Sequence, residues 1–267
     1  MKYRLKKRSE IKKRIEDLKE SNLLFIHYSC ESFYDIIDGH TPRITSIAVR
    51  FGMTKTTKSF SIHKVAEKQG ILLEKIKEKY DIYEKKMLDE FFEFVEEYRG
   101  YTWIHWNMRD INYGFEAIKH RYQVLGGKLK KIFEIPEENK LDLSQILITL
   151  YGENYIGHPR LEKICECNKI GKKDFLSGSE EAKAFEKQQY LNLHRSTLRK
   201  VEILHRIFER IVEGKFKHNA KYSEIYGTSI SGAKQYLNEN WVPFLIFSIL
   251  SSICGKIFPI IIGKMLE

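Results

Sequence analysis

Residues 101–115 read Tyr-Thr-Trp-Ile-His-Trp-Asn-Met-Arg-Asp-Ile-Asn-Tyr-Gly-Phe. Thr102, Trp103 and Ile104 make a short strand-like run that opens into a polar turn. Asp110 then stands ahead of the helical pattern of Phe115, Ile118 and Tyr122. A carboxylate is thereby placed where a strand ends and a helix begins. Such an aspartate is either a helix N-cap or a chemical group, and the local sequence by itself favours the cap. Its position between an upstream strand pair carrying Glu31 and a downstream helix carrying His194 raises the chemical reading.

Upstream, residues 23–28 and 44–51 are apolar, the second run rich in β-branched residues, with Gly39 and Pro42 between them. This predicts a hairpin of core strands, with a third strand over 58–62. Residues 64–98 turn helical, with Leu88, Phe91, Phe92 and Val95 on one face. Downstream, Gly126 and Gly127 break the pattern, and they lack the preceding strand and following Lys-Ser/Thr of a phosphate loop. A short edge strand leading into a helix is expected over 140–150, a compact helix closed by Gly171 over 159–170, and a polar loop over 174–179. Residues 180–212 are helical again, with Leu191, Leu198, Val201, Leu204, Ile207, Phe208 and Ile211 as apolar positions. The order predicts an α/β protein, a mixed sheet flanked by helices, with no internal repeat.

The chain of 267 residues is long enough for one substantial core with appendages. Its 46 Lys and Arg against 36 Asp and Glu leave a formal charge of +10, which suits a polyanion or an anionic membrane surface, or is simply a basic exterior. Cys30, Cys165, Cys167 and Cys254 form no CxxC pair, so neither a thiolate metal site nor a disulfide framework is expected and a reducing, cytoplasmic setting is the simpler one. Residues 1–22 are predicted to be a basic helix with a narrow apolar stripe of Leu5, Ile11, Ile15 and Leu18. It lies on nucleic acid or lipid, or packs by one edge on the domain, and the stripe favours packing.

With these acidic positions, the order of elements resembles the DEDD superfamily of 3′-5′ exonucleases, of ribonuclease H-like fold, over about residues 23–212. The first motif of that family, Asp-x-Glu, is matched by Ser29-Cys30-Glu31, and the strand beside it by residues 43–49. The second motif is matched by His105-Trp106-Asn107-Met108-Arg109-Asp110, a later Asp-Thr-Leu element by Leu141-Asp142-Leu143-Ser144, and the last by the stretch from His194 to Arg199. The resemblance implies Glu31, Asp110 and His194 as catalytic positions, with Glu31 and Asp110 as ligands for any Mg²⁺ or Mn²⁺.

In a two-metal nuclease, carboxylates hold two divalent ions about 4 Å apart. Here Ser29 and Arg199 replace two of the family's carboxylates. A hydroxyl is a poor Mg²⁺ ligand, and a guanidinium repels a cation. Two readings follow. The site is degenerate, with Arg199 binding phosphate in a pocket that needs no metal, or Asp35, Asp142 or Glu202 rebuilds it. Trp106, in the polar turn, is the candidate for stacking on bases, whereas Trp103 and Phe115 read as core. Arg109 and Arg195 read as nucleic-acid contacts; Lys119, His120 and Arg121 add phosphate contacts or form a solvated face.

Residues 216–240 are polar and read as a connector following an exonuclease-like domain over 23–215. No residue from Trp241 to Gly255 is charged, and apolar sequence continues to Leu266, interrupted by Lys256, Pro259 and Lys264. A spanning helix needs about 20 apolar residues, so the segment 241–267 reads as a membrane anchor, an interfacial segment or an oligomerisation surface, with membrane association favoured. The sequence supports three functions. They are a degenerate exonuclease-like domain that binds nucleic acid or nucleotide at a membrane, an active metal-dependent exonuclease, and a non-catalytic oligomeric scaffold. The first would suit an intracellular defence role.

Overall fold

The computed structural model describes residues 2–18, 22–32, 41–109, 112–128 and 134–240, with 245, 246 and 251. Asp35, Asp110 and most of the apolar tail lie outside these residues. The sheet is built on β1 (Leu23–Cys30), a strand buried on both faces. Leu24, Ile26 and Tyr28 enter one core, and Leu23 and Phe25 the other. A strand covered on both sides reads as a continuous apolar run rather than an alternating one.

β2 (Ile44–Phe51) runs antiparallel to β1 with Leu24 opposite Phe51, and β3 (Thr57–Ser61) completes the hairpin at the sheet edge. On the other side β4 (Thr102–His105) is parallel to β1, with Leu24 beside Trp103, and β5 (Lys140–Asp142) is parallel to β4. The result is a five-stranded mixed sheet of order β3-β2-β1-β4-β5.

Helices cover both faces. α3 (Tyr80–Tyr98) packs Leu88, Phe91, Phe92 and Val95 against Leu24, Ile26 and Trp103. On the opposite face α5 (Leu143–Tyr151) and α8 (Tyr190–Val212) bring Ile146, Leu147, Ile203, Leu204 and Ile207 to Phe25 and Ile104. Each such side chain contributes about 1.5–3 kcal/mol when fully buried, so these layers hold the short β4 and β5 in place.

Several boundaries differ from those expected. The helical stretch over 64–98 is three pieces: α2 (Ile62–Lys68), a 3-10 helix (Leu73–Lys79) and α3. Gly70, at φ 67°, turns the chain after the first. The helix expected near Asp110 is α4 (Phe115–Val124), which starts later because Arg109 bridges to Gly114 and the Gly114 N–H is taken by the Tyr28 hydroxyl at 3.0 Å. The Gly126-Gly127 break does follow α4. A Cβ at Gly127 would lie 2.4 Å from the Tyr122 ring, so the chain can close onto that ring only with glycine.

α6 (Arg160–Cys167) ends before Gly171, because the Asn168 side chain caps it through the Ile164 carbonyl at 3.0 Å while also holding the Lys217 backbone. The helical span 180–212 is divided into α7 (Gly178–Glu186) and α8 by a turn with Gln188 at φ 57°.

α1 (Lys2–Asp17) packs by one edge, as its stripe predicts, with Leu5 and Ile15 buried. Arg8 is also buried and donates to the Leu150 carbonyl at 2.8 Å. The stretch expected to be a polar connector contains α9 (Tyr222–Ile225) and α10 (Ile230–Glu239). Glu239 joins α10 to α1 through Arg8 and Lys12, and Tyr226 donates to the same carboxylate at 2.8 Å. Polar composition here encodes an ion-paired contact. Among the described residues no helix is long and apolar enough to cross a membrane.

Candidate functional site

β1 and β4 run parallel, with Phe25 beside Ile104; β4 stops at His105 while β1 runs on to Cys30, and the crevice beyond the carboxyl ends of parallel strands is where an open α/β sheet receives ligands. A cavity of about 720 Å³ lies there, closed on its far side by α7 and α8. β1 brings His27, Tyr28 and Cys30, followed by Glu31; the turn after β4 brings Trp106 and Asn107. α7 adds Glu181 and Lys183, and α8 adds Lys200.

Local chemistry fixes these positions. Asn107 takes φ 55°, a left-handed conformation that asparagine tolerates, and so turns the chain directly after β4. Tyr113 stacks on Tyr28 with ring centroids 4.6 Å apart and donates to the Tyr28 carbonyl at 3.3 Å, pinning the following loop to the end of β1. The Glu31 N–H donates to the Arg43 carbonyl at 2.8 Å, and its carboxylate accepts from the Arg43 N–H at 3.3 Å. α7 starts from a capping box in which Ser177 and Glu180 satisfy each other's backbone N–H groups.

Burial sets the protonation of this site. His27 is 7% exposed, and neither ring nitrogen has a hydrogen-bond partner among the described residues. Burial, followed by the nearby Lys200 charge, pushes its pKa well below the ordinary histidine value, so the imidazole is neutral at pH 7. The Cys30 thiol is driven up by burial and by the Glu181 and Glu31 carboxylates, so it is no thiolate nucleophile. Lys200 is 6% exposed, and its ammonium lies 2.7 Å from the Glu181 carboxylate. The Ser196 hydroxyl donates to the same Glu181 oxygen at 2.8 Å.

The residues singled out by sequence do not all converge on the cavity. Glu31 and Trp106 line it, and Trp106 is buried to 9% exposure rather than displayed in the turn. Asp110 lies outside the described residues. His194 is not among the cavity residues: it is buried against His63 of α2, ring centroids 4.9 Å apart, and burial, then His63 and Lys64, lower its pKa to about 3. Arg199 is spent on the Gly171 carbonyl and on Glu202 at 2.5 Å and is not among the cavity residues. Arg195 is exposed on α8.

Arg109 is paired with Asp142, and Asp142 also caps α5 by accepting from the Ser144 N–H at 2.9 Å. Arg121, offered by the sequence as a phosphate contact, is instead buried in an ion pair with Glu84. Glu202 is paired with Arg199 and with Arg206 at 2.6 Å, in a separate cleft with Arg50, His205 and Glu209.

These placements bear on divalent metal. Among the described residues, no group of three or more His, Cys, Asp or Glu side chains could hold an ion. Glu181 is committed to Lys200 and Ser196, and Asp142 to Arg109 and a helix cap. The described lining holds the carboxylates of Glu31, Glu181 and Glu186 together with two lysines, of which Lys200 is paired with Glu181. The described residues therefore do not fit a two-metal centre.

His27, Lys200 and Glu181 were missed by the sequence reading. Two of them carry a signal in retrospect. His27 is the one basic residue in the apolar run 23–28, and Lys200 falls on the helical stripe of Leu193, Thr197, Val201 and Leu204. A charge on the buried face of a helix needs a partner or a function. Glu181 carries no such signal, since α7 is mostly polar. No family model matches the chain, and no curated protein matches it in sequence.

Proposed function

We propose that the chain is a ribonuclease H-like domain related to DEDD exonucleases that binds single-stranded nucleic acid or a nucleotide in the cavity at the ends of β1 and β4 without metal-dependent cleavage. The strand order, with β2 antiparallel and β4 and β5 parallel to β1, is consistent with that fold. The observation that carries the reading is the set of groups gathered there: a neutral His27 with unpartnered ring nitrogens among the described residues, the ammonium of Lys200 held by Glu181, and Trp106, which lines the cavity although most of its surface is packed in the core. An aromatic surface for a base beside a cation for a phosphate is how unpaired strands are held. The excess of basic residues over the whole chain favours the same ligands. The apolar segment 241–267, with seven isoleucines after position 245, extends the proposal to a membrane-tethered domain on the strength of its sequence.

The test is a 3′-labelled single-strand assay on DNA and RNA, with Mg²⁺, with Mn²⁺ and with chelator, scored for both binding and cleavage. The expected result is binding that survives chelator and weakens in Trp106→Leu, with no shortening of the strand. Cleavage abolished by Glu31→Gln and Asp110→Asn would establish the enzyme reading instead. Absence of both binding and cleavage would leave a scaffold. Flotation of the full chain with anionic lipid vesicles, lost on truncation after residue 240, is the expected result for the tail.

A further inference from the structure

Glu181 and Lys200 are an unusual pair to find on the wall of a cavity. Lys200 projects from the buried face of α8, the helix that otherwise supplies Leu193, Val201 and Leu204 to the interior. The described partners of its ammonium are the Glu181 carboxylate at 2.7 Å and the face of the Phe175 ring, 5.2 Å from the ring centroid. Glu181 is delivered by α7, a nine-residue helix that also meets α8 through the Ser196 hydroxyl. Ser196 in turn accepts from the Leu176 N–H at 3.1 Å, so one buried hydroxyl orders both the approach to α7 and the carboxylate it presents.

A pair serving only to dock α7 onto α8 would be sealed from the crevice. This one is not: both side chains line the cavity of about 720 Å³. Beside them is His27, more than nine-tenths buried, lining the same cavity and leaving both ring nitrogens without a hydrogen-bond partner among the described residues. Buried polar groups are nearly always satisfied, and an unsatisfied one in a cavity marks a place for a ligand group. A neutral imidazole offers one N–H, and an ammonium offers several. Together they match the oxygens of a phosphate ester, with the carboxylate of Glu181 already occupying the cation's anion position.

We infer that the Lys200–Glu181 ion pair is a closed anion subsite, in which the Glu181 carboxylate holds the place of a ligand phosphate and must leave Lys200 before that phosphate can bind to Lys200 and His27. The inference rests on the reading of the cavity as one for nucleotides or strands, and it adds the element that reading lacks, an intramolecular competitor on α7. The ligand class is a phosphate monoester or the terminal phosphate of a strand. Lys200 supplies the charge, so binding needs no divalent ion.

The test uses the full chain in chelator, titrated calorimetrically with inorganic phosphate, adenosine 5′-monophosphate, adenosine, and a single-stranded oligothymidine with and without a 5′-phosphate. Glu181→Gln removes the competing charge at constant shape, and is expected to tighten phosphate and the monophosphate about tenfold or more, with adenosine unchanged. Lys200→Met in the Glu181→Gln background is expected to abolish the gain. Ser196→Ala, which loosens Glu181 without touching Lys200, is expected to move affinity in the same direction by less, and guards against misfolding of either charge variant. A larger gain for the 5′-phosphorylated strand than for the mononucleotide would identify the source as a strand end; the reverse would identify a free nucleotide.

If Glu181→Gln and Ser196→Ala fold normally by near-ultraviolet dichroism and bind phosphate and the monophosphate no tighter than wild type, the subsite is refuted. The unphosphorylated strand separates that result from failure of the broader reading: binding weakened by Trp106→Leu would keep the cleft and discard the subsite. No binding of any probe by wild type or either variant would remove both.

Discussion

Arg121 of α4 and Glu84 of α3 form a two-pronged ion pair closed off from solvent, with Arg121 Nη2 2.6 Å and Nε 3.0 Å from the Glu84 carboxylate oxygens. Glu84 also accepts from the Ile44 N–H at 2.7 Å, so one carboxylate joins both helices to the start of β2. Burial pushes the Glu84 pKa up, against the opposing pull of Arg121. Removing one member strands the other charge in the interior, at a cost of about 3–5 kcal/mol. Arg121→Met should therefore lower the urea unfolding free energy by that amount, and the double variant Arg121→Met/Glu84→Leu should recover only part of it, because the Ile44 N–H then loses its acceptor, at a cost of about 1–3 kcal/mol. A single variant losing under about 1 kcal/mol would show that the pair is open to water.

His194 gives the protein a predictable acid sensitivity. Its folded pKa, about 3, lies below the unfolded value near 6.5, so the unfolded chain binds the extra proton between those values. The stability it contributes is intact above pH 6.5 and falls as pH drops toward 3. His63, lowered by burial and by Lys64, acts in the same direction. His194→Gln should flatten the fall in unfolding free energy between pH 7 and pH 5. Equal slopes in variant and wild type would assign the acid sensitivity to other groups.

Binding of a single strand should weaken as salt rises, with log K falling by about 0.7 per log unit of salt for each phosphate neutralised. Lys183 and Lys200 both line the cavity. Lys183→Met is therefore expected to reduce the slope by about 0.7, whereas Arg195→Met, on an exposed stretch of α8, should leave it unchanged if the strand follows the cavity. The reverse pattern would put the strand on the outer face of α8.

The contact between α1 and α10 should come apart in acid. Burial alone would raise the Glu239 pKa, but hydrogen bonds from Arg8 and Lys12 outweigh it and hold the group at about 2. Its contribution is fully present above the ordinary carboxylate range and is lost as pH falls through about 2. Glu239→Gln should reproduce the acid effect at neutral pH, speeding hydrogen exchange in α10 and exposing the chain near Gly227 to protease. Exchange in β1 should stay slow. Unaltered exchange in α10 would mean that Tyr226 and its aromatic neighbours hold the helix without the charge.

Much of the fold was legible because its signals are local. β1 is an unbroken apolar run, β4 ends in a polar turn, and the stripe of α3 repeats at helical spacing. The candidate site was legible only in part. Glu31 and Trp106, which line the cavity, stand just beyond the apolar runs that mark β1 and β4. His194 and Arg199 were assigned by their spacing within a motif, yet helix rotation carries His194 to His63 and Arg199 to Gly171. Lys200, the adjacent position, faces the cavity.

What the sequence determined by itself was the succession of strands and helices over residues 23–212, the place of β1 and β2 as core strands and the edge packing of α1, because periodicity and apolar content act over neighbouring residues. Tertiary structure alone decided which charges meet. Glu181 and Lys200 lie on different helices, as do Glu84 and Arg121, and Glu239 reaches Arg8 from the other end of the described chain. An ion pair depends on distance in space, and no local pattern records a distance across a fold.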